Sequence, residues 1–326
     1  MSFWLLGAAV VLAVHAIATS LASLLVAHRH RGARQALAGL PPAERASRLL
    51  RAALFPFAAG LACVALVVPA WLIYEPRDTQ ETSGLALVML AAAGLALIVG
   101  RVGGGVRDAL RTRRVVQFFR REGLELAGLP APASRAAYGF PVAALAGLWR
   151  PRLLLAESVL GALQREELDA VVAHELAHAK ACDNLKRLLL RFSPDPLALT
   201  SLGRSLRAEF VEAAEAAADA HACARVAPTV LARALLKVAR LVPPSGRLDL
   251  VLASLHHEDS GGLAARIRAL VETPASAPGR PTPTERRAGS RGRLAIGLLI
   301  ATGVASALAA LAVVHQGLEG LVRLLG

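Results

Sequence analysis

Aromatic side chains make up only 4% of this sequence, and cysteine occurs three times in 326 residues. The first shortage qualifies the strong positive charge, formally +13. A nucleic-acid binder would interleave aromatics with basic residues on one soluble face, so direct nucleic-acid binding is not expected. The second shortage excludes a disulfide-stapled fold. Cys63, Cys182 and Cys223 form no C-x-x-C pair, so free thiols are expected, with Cys223 a small buried residue rather than a metal ligand. There is no internal repeat, and no S-x-x-K motif to supply an acylated serine.

Apolar residues are what the chain has in excess: 55% of the composition, with a mean hydropathy of +0.50. They cluster in lengths near the roughly 20 residues that cross a bilayer, at 3–27, 52–73, 85–102 and 294–314. The first stretch lacks a basic n-region and is too long for a signal peptide, so it is expected to span. Segment 28–51 carries six arginines against Glu44, and 101–121 carries seven arginines. Segment 74–84 instead has Glu75, Asp78 and Glu81 against Arg77. Arg280, Arg286, Arg287, Arg291 and Arg293 precede the last stretch. The positive-inside rule then places both termini and loop 74–84 outside the inner (plasma) membrane, with 28–51 and 103–293 cytoplasmic. His15, inside the first span, is a polar group expected to bond to a neighbouring helix.

His174-Glu175-Leu176-Ala177-His178 reads H-E-x-x-H. Residues four apart on a helix lie about 40° from each other around the axis, so both imidazoles face the same way. Two such histidines can hold Zn²⁺, and the glutamate between them can take a proton from water. Ala170, Val171, Val172 and Ala173 before the motif and Leu176, Ala177 and Ala179 within and after it make the helix apolar all round. Such a helix is buried, and its buried His, Glu and His need polar or metal partners.

A site of this kind needs a third protein ligand. The alanine-rich run 206–225, helical by propensity, sets Glu215 and Asp219 one turn apart. One can bind the ion while the other accepts a hydrogen bond from a ligand histidine. Glu212 lies on nearly the same face, so spacing alone does not exclude it.

With these residues the chain resembles the gluzincin membrane peptidases. His174–His178 with Asp183-Asn184, followed by Glu215-x-x-Ala218-Asp219, is similar to the BlaR/MecR-type antirepressor metallopeptidases, with the HtpX-type and CAAX-prenyl-protease group as near neighbour. Gly147-Leu148-Trp149-Arg150-Pro151 and Arg266-Ile267 with Leu270 resemble segments that precede the zinc helix and close the domain. The resemblance implies an α-helical multi-pass membrane protein with four transmembrane helices and a cytoplasmic, mainly α, zincin-like (α+β) peptidase domain. It implies one Zn²⁺ per chain on His174, His178 and Glu215, with Glu175 as general base. Asp219 would support a ligand, and Asp183 would anchor the helix end. The implied substrate is a protein or peptide, such as a winged-helix repressor cut in signal transduction. A broad quality-control protease and a non-catalytic membrane scaffold are the alternatives.

The domain boundaries follow: three spans within 1–102, the peptidase at 103–271, a disordered basic linker at 272–293, the fourth span, and an external tail at 315–326. That tail is too short to fold, so direct β-lactam sensing is not expected, and a signal is expected from a partner membrane sensor or the bilayer. Gly103–Gly105 reads as a flexible exit from the third span, and 106–123 as an arginine-studded amphipathic helix, either on the inner leaflet or simply solvated. Runs 142–145 and 152–156 suggest a small hairpin-like sheet whose edge receives an extended substrate. Tyr138, His221, His256 and His257 are the candidates for stabilising an oxyanion, and the sequence does not choose among them.

Overall fold

A computed structural model describes residues 2–77, 84–138, 141–147, 152–241, 260–272, 316–318 and 320. Three helices open the chain: α1 (Phe3–Ala38), α2 (Pro42–Tyr74) and α3 (Leu85–Arg121). Each is long and apolar enough to cross a membrane. At 1.5 Å per residue they run about 50–55 Å, well over the ~30 Å of hydrocarbon in a bilayer. The expected loop at 28–51 is therefore a helical hairpin, broken only at Gly39–Pro41, where Pro42 begins α2 as proline suits a first helical turn.

The glycine run is no hinge. The third helix passes through Gly103–Gly105 without interruption, and a Cβ on Gly103 or Gly104 would meet nothing within 4 Å. A Cβ on Gly105 would lie 2.8 Å from the Phe192 ring, so that glycine permits a close approach. The segment expected on the leaflet is simply the end of α3. It sends Val115 and Phe119 into the core of the following domain, where burying apolar area outweighs lying on lipid.

That domain begins with a four-stranded sheet: β1 (Leu124–Leu126), β2 (Ala133–Ala136), β3 (Ala143–Ala146) and β4 (Arg152–Ala156), in the order β1-β2-β4-β3. The expected hairpin is the antiparallel β3–β4 pair, while β2 runs parallel to β4. Helices α4 (Glu157–Ala162), α5 (Arg165–Ala181) and α6 (Asp183–Phe192) follow, then a 3-10 turn at Pro196–Leu199. Helices α7 (Ser201–Cys223), α8 (Pro228–Leu241) and α9 (Ser260–Glu272) complete it. Glu167 accepts from the Gln164 N–H at 2.8 Å and fixes the start of α5.

The long helices and the domain share one core. Leu206, Phe210 and Ala213 of α7 pack with Val26 of α1 and Leu49 and Ala53 of α2. Glu209 meets His30 at 3.8 Å and Arg34 at 3.2 Å. The expected span 294–314 and the linker beyond Glu272 lie outside the described residues. Leu318 is described, and it packs with Phe3, Leu6, Trp71 and Leu87 at the opposite end of the bundle.

A continuous third helix makes a prediction. Gly103→Ala and Gly104→Ala should each stabilise the protein, by up to about 1 kcal/mol, because alanine is the better helix former. Gly105→Ala should destabilise it by about 1–3 kcal/mol through overpacking against Phe192. Thermal unfolding of the three variants measures this; loss of stability at Gly103 and Gly104 would restore the hinge.

Candidate metal centre

Helix α5 carries His174, Glu175 and His178 through the middle of the domain, with His174 and Glu175 buried. The two imidazoles bring their Nε2 atoms within 3.2 Å of each other. Glu215, from the facing helix α7, sets Oε2 3.3 Å from His174 Nε2 and 3.4 Å from His178 Nε2. A tetrahedral zinc ion, with donors 2.0–2.1 Å away, has donor–donor edges of about 3.3–3.4 Å. The three donor atoms thus already stand at the spacing of a metal ligand set. Glu212 does not belong to it: that side chain is largely exposed and pairs with Arg45 at 3.6 Å.

Carboxylates stand behind both rings. Cys182, at φ 56°, ends α5 in the left-handed region, and its N–H returns to the carbonyls of His178 and Ala179. This turn starts α6 at Asp183, whose Oδ2 lies 2.8 Å from His178 Nδ1 while Lys186 holds Oδ1 at 2.8 Å. Asp183 is therefore a carboxylate partner of a histidine as well as a helix-end residue. Asp219 Oδ1 lies 3.0 Å from His174 Nδ1, though off the line of a good hydrogen bond. Such partners leave each Nε2 free to face a metal.

Two arginines complete the network. Arg266 of α9 grips Asp219 with Nε and Nη2, both at 2.7 Å, and reaches Glu215 Oε2 with Nη1 at 3.2 Å. Arg187 of α6 donates to Glu215 Oε1 at 2.6 Å. Arg187 gave no signal in the sequence, since its role depends on α6 folding back beside α7. Arg266 was visible only through the resemblance.

The electrostatics follow from this pairing. Burial alone would push the His174 pKa down, but Asp219 and Glu215 reverse that and raise it to about 9. Burial likewise works against protonation of His178, and Asp183 and Glu215 prevail to raise it. Burial favours the neutral form of Glu215, yet the two histidines hold its pKa well below the usual carboxylate range. The carboxylates that favour positive charge on these rings would equally favour a divalent cation between them. The donor set and its charge thus fit zinc.

Glu175 faces the sheet. Its Oε2 accepts the Leu145 N–H at 3.0 Å, and Asn184 donates to the Leu145 carbonyl at 2.9 Å. Strand β3 turns its alternate backbone groups away from β4, so on this outer edge those of Leu145 are already engaged. The expected edge pairing with a peptide is thereby narrowed toward Ala143. Among the oxyanion candidates, Tyr138 stacks with Phe118 and Phe119, 5.0 and 5.5 Å between ring centroids, where α3 meets the sheet. His221 lies about 200° around α7 from Asp219, on the other side of the helix. His256 and His257 lie outside the described residues. Cys223 is half-buried, and burial with nearby Asp219 pushes its thiol up to about 11, so it stays protonated as expected of an inert thiol.

The raised histidines generate a test with a definite sign. Each folded-state pKa lies above the unfolded value, so protonation stabilises the metal-free protein fully below pH ~6.5. That stability is lost as pH rises toward 9, whereas zinc binds the unprotonated rings. The difference in melting temperature between zinc-loaded and metal-free protein should therefore widen from pH 6 to pH 9. A difference that narrows with pH would remove the two histidines from the ligand set.

No curated protein matches the chain. Residues 136–244, from the end of β2 past α8, match peptidase family M48, whose members are zinc metallopeptidases. The matched stretch contains His174, Glu175, His178, Glu215 and Asp219, and it supports a membrane-associated metallopeptidase of the zincin type.

Proposed function

We propose that this chain is an integral-membrane zinc endopeptidase in which His174, His178 and Glu215 hold one ion. The observation that carries this reading is the 3.2–3.4 Å spacing of the three donor atoms, with Glu175 next to the first of them. His174, His178 and Glu215 would hold the ion, which would supply Lewis acidity toward a water and a peptide carbonyl. Glu175 takes the proton of the attacking water and returns it to the leaving amine. The Leu145 N–H holds one oxygen of that carboxylate, which fixes its orientation for both transfers. Asp183 and Asp219 keep the histidine rings aimed, and Arg187 and Arg266 bond to the two oxygens of the buried Glu215 carboxylate. The intact base and ligand positions argue against a catalytically idle scaffold.

Glu175→Gln preserves size and removes proton transfer. Purified variant should retain about one zinc per chain and lose on the order of 10²–10⁴-fold in peptidase rate. Metal analysis with a peptide-cleavage assay checks both. Undiminished cleavage by metal-free wild-type protein would end the zincin reading.

On the resemblance to antirepressor peptidases, the substrate is a repressor-like cytosolic protein and the role regulatory proteolysis. A second reading, broad clearance of membrane proteins, draws on the packing of α7 against α1 and α2, which puts the site beside the spans. Cleavage of one soluble regulator, against degradation of many misfolded membrane proteins, separates the two in cells carrying Glu175→Gln.

The arginine asymmetry supports a cytoplasmic peptidase domain in the inner membrane, with both termini outside. Packing of Leu318 with Phe3, at the end remote from the sheet, supports a fourth crossing between Glu272 and Gln316. A reporter active only outside should signal when fused near Thr79 or at Gly326, and stay silent at Gly39 or Gly279. The reverse pattern would turn the site to the outer face and exclude a cytosolic substrate.

A further inference from the structure

The segment joining α6 to α7 enters the helix bundle far below its basic rim. His15 Nε2 stands 3.3 Å from the Pro194 carbonyl. A Cβ on Gly60 would lie 2.7 Å from His15, and one on Gly94 would lie 2.7 Å from the Leu12 carbonyl, so these crossings fix the relative depth of the three helices. From His15 to His28, from Gly60 to Arg51 and from Gly94 to Arg101 is seven to thirteen residues, about 10–20 Å of helix. The Pro194 carbonyl therefore lies roughly that far inside the first basic residues of every span.

At that depth backbone polar groups need partners from the protein, and these have them. Arg101 donates to the carbonyls of Ser193 at 3.0 Å and Leu190 at 2.7 Å. Asp195 is fully buried, accepts from the Ala198 N–H at 2.9 Å and faces Arg207 at 3.6 Å. Thr200 receives the Gly203 N–H at 3.0 Å and donates to the Leu197 carbonyl at 2.7 Å. Gly203 is needed there, since a Cβ would fall 1.8 Å from that same carbonyl. From Ser193 to Leu199 the exposed side chain is Leu199, at 63%, while Arg191 before it and Arg204 after it are exposed charges. From Ser193 to Gly203 the one charged residue is the buried Asp195.

We propose that the hairpin formed by the end of α6, the 3-10 turn and the start of α7 is a re-entrant element, embedded in the leaflet on the peptidase side. Its occupant is lipid: Leu199, at the tip of the hairpin, meets acyl chains. The argument is continuity, because the hairpin is bonded to the same span residues whose outward neighbours, such as Leu61 and Val99, are exposed and apolar. The proposal rests on the three helices crossing a bilayer and not on the zinc assignment. It also constrains the substrate. Glu209, beside His30 and Arg34, marks the basic rim on α7, and Glu215 lies six residues, about 9 Å of helix, beyond it. A scissile bond must then approach within about 10 Å of the membrane surface, which favours a membrane-anchored or membrane-docked polypeptide.

Nitroxide labels test this on the full-length chain in liposomes. A single cysteine at Leu199→Cys, with the native cysteines replaced, is compared with Leu61→Cys in α2 and with native Cys182, which is exposed. The label at 199 should match the label at 61, several-fold more accessible to oxygen than to a water-soluble nickel chelate. The Cys182 label should show the reverse. Nickel accessibility at 199 would place the hairpin in water, and low access to both reagents would mean a protein partner covers it; either result overturns the proposal. A label at 61 that behaves like the Cys182 label would instead overturn the spanning helices themselves.

Discussion

The arrangement turns on neutralising charge in a buried place. Two histidines one helical turn apart would be poor neighbours in an apolar helix unless their rings were bonded and their charge balanced. The chain meets that demand from four helices: α5 supplies the rings, α6 brings Asp183 and Arg187, α7 brings Glu215 and Asp219, and α9 brings Arg266. Each of these groups has partners from another element. Removing one leaves an uncompensated charge rather than an empty corner, so the fold around the site forms together or not at all.

This coupling reaches the long helices through α7. The face of α7 opposite the ligands packs on α1 and α2, and Glu209 and Glu212 answer basic residues on those helices. Meanwhile α3 runs unbroken into the sheet core through Val115 and Phe119. The domain is thus built onto the long helices through three helices and a shared core, where a flexible glycine exit at Gly103–Gly105 had been expected. A tilt of α1 or α2 would move the helix that bears Glu215 directly, since packed interiors transmit displacement.

How much was legible follows from how local each cause is. The H-E-x-x-H ring placement depends only on helix geometry, so His174, Glu175 and His178 were readable directly. Glu215 was readable because its turn partner Asp219 marked the face, but choosing it over Glu212 required seeing which carboxylate meets Arg45 and which meets the histidines. Arg187 escaped, and Asn184 was marked only within the Asp183-Asn184 pair of the resemblance, because the left-handed turn at Cys182, which folds α6 back, has no glycine to announce it. Strands β1 and β2 escaped because three or four residues such as Ala133-Ser134-Arg135-Ala136 carry no β signal of their own; pairing with β4 makes them strands. The hinge was misread for a similar reason, since glycine in a long helix can serve a close neighbour, and Phe192 is distant in sequence.

The same logic explains the helix–turn–helix that joins α6 to α7. Pro194 and Pro196 break the chain there, and at a surface such a break leaves its carbonyls to solvent. Here the carbonyls of Leu190, Ser193 and Pro194 are taken by Arg101 and His15, both within or at the end of apolar stretches. A histidine and an arginine in such places are costly unless they satisfy something that water cannot reach. Their expense and the buried break explain each other: the spans carry polar residues because the hairpin brings them bare carbonyls. The hairpin can bring them because Gly203 lets α7 turn back against Leu197. Once turned, α7 has only one direction to run, away from the bundle and toward the histidines, which is how a turn among the spans comes to set the position of Glu215.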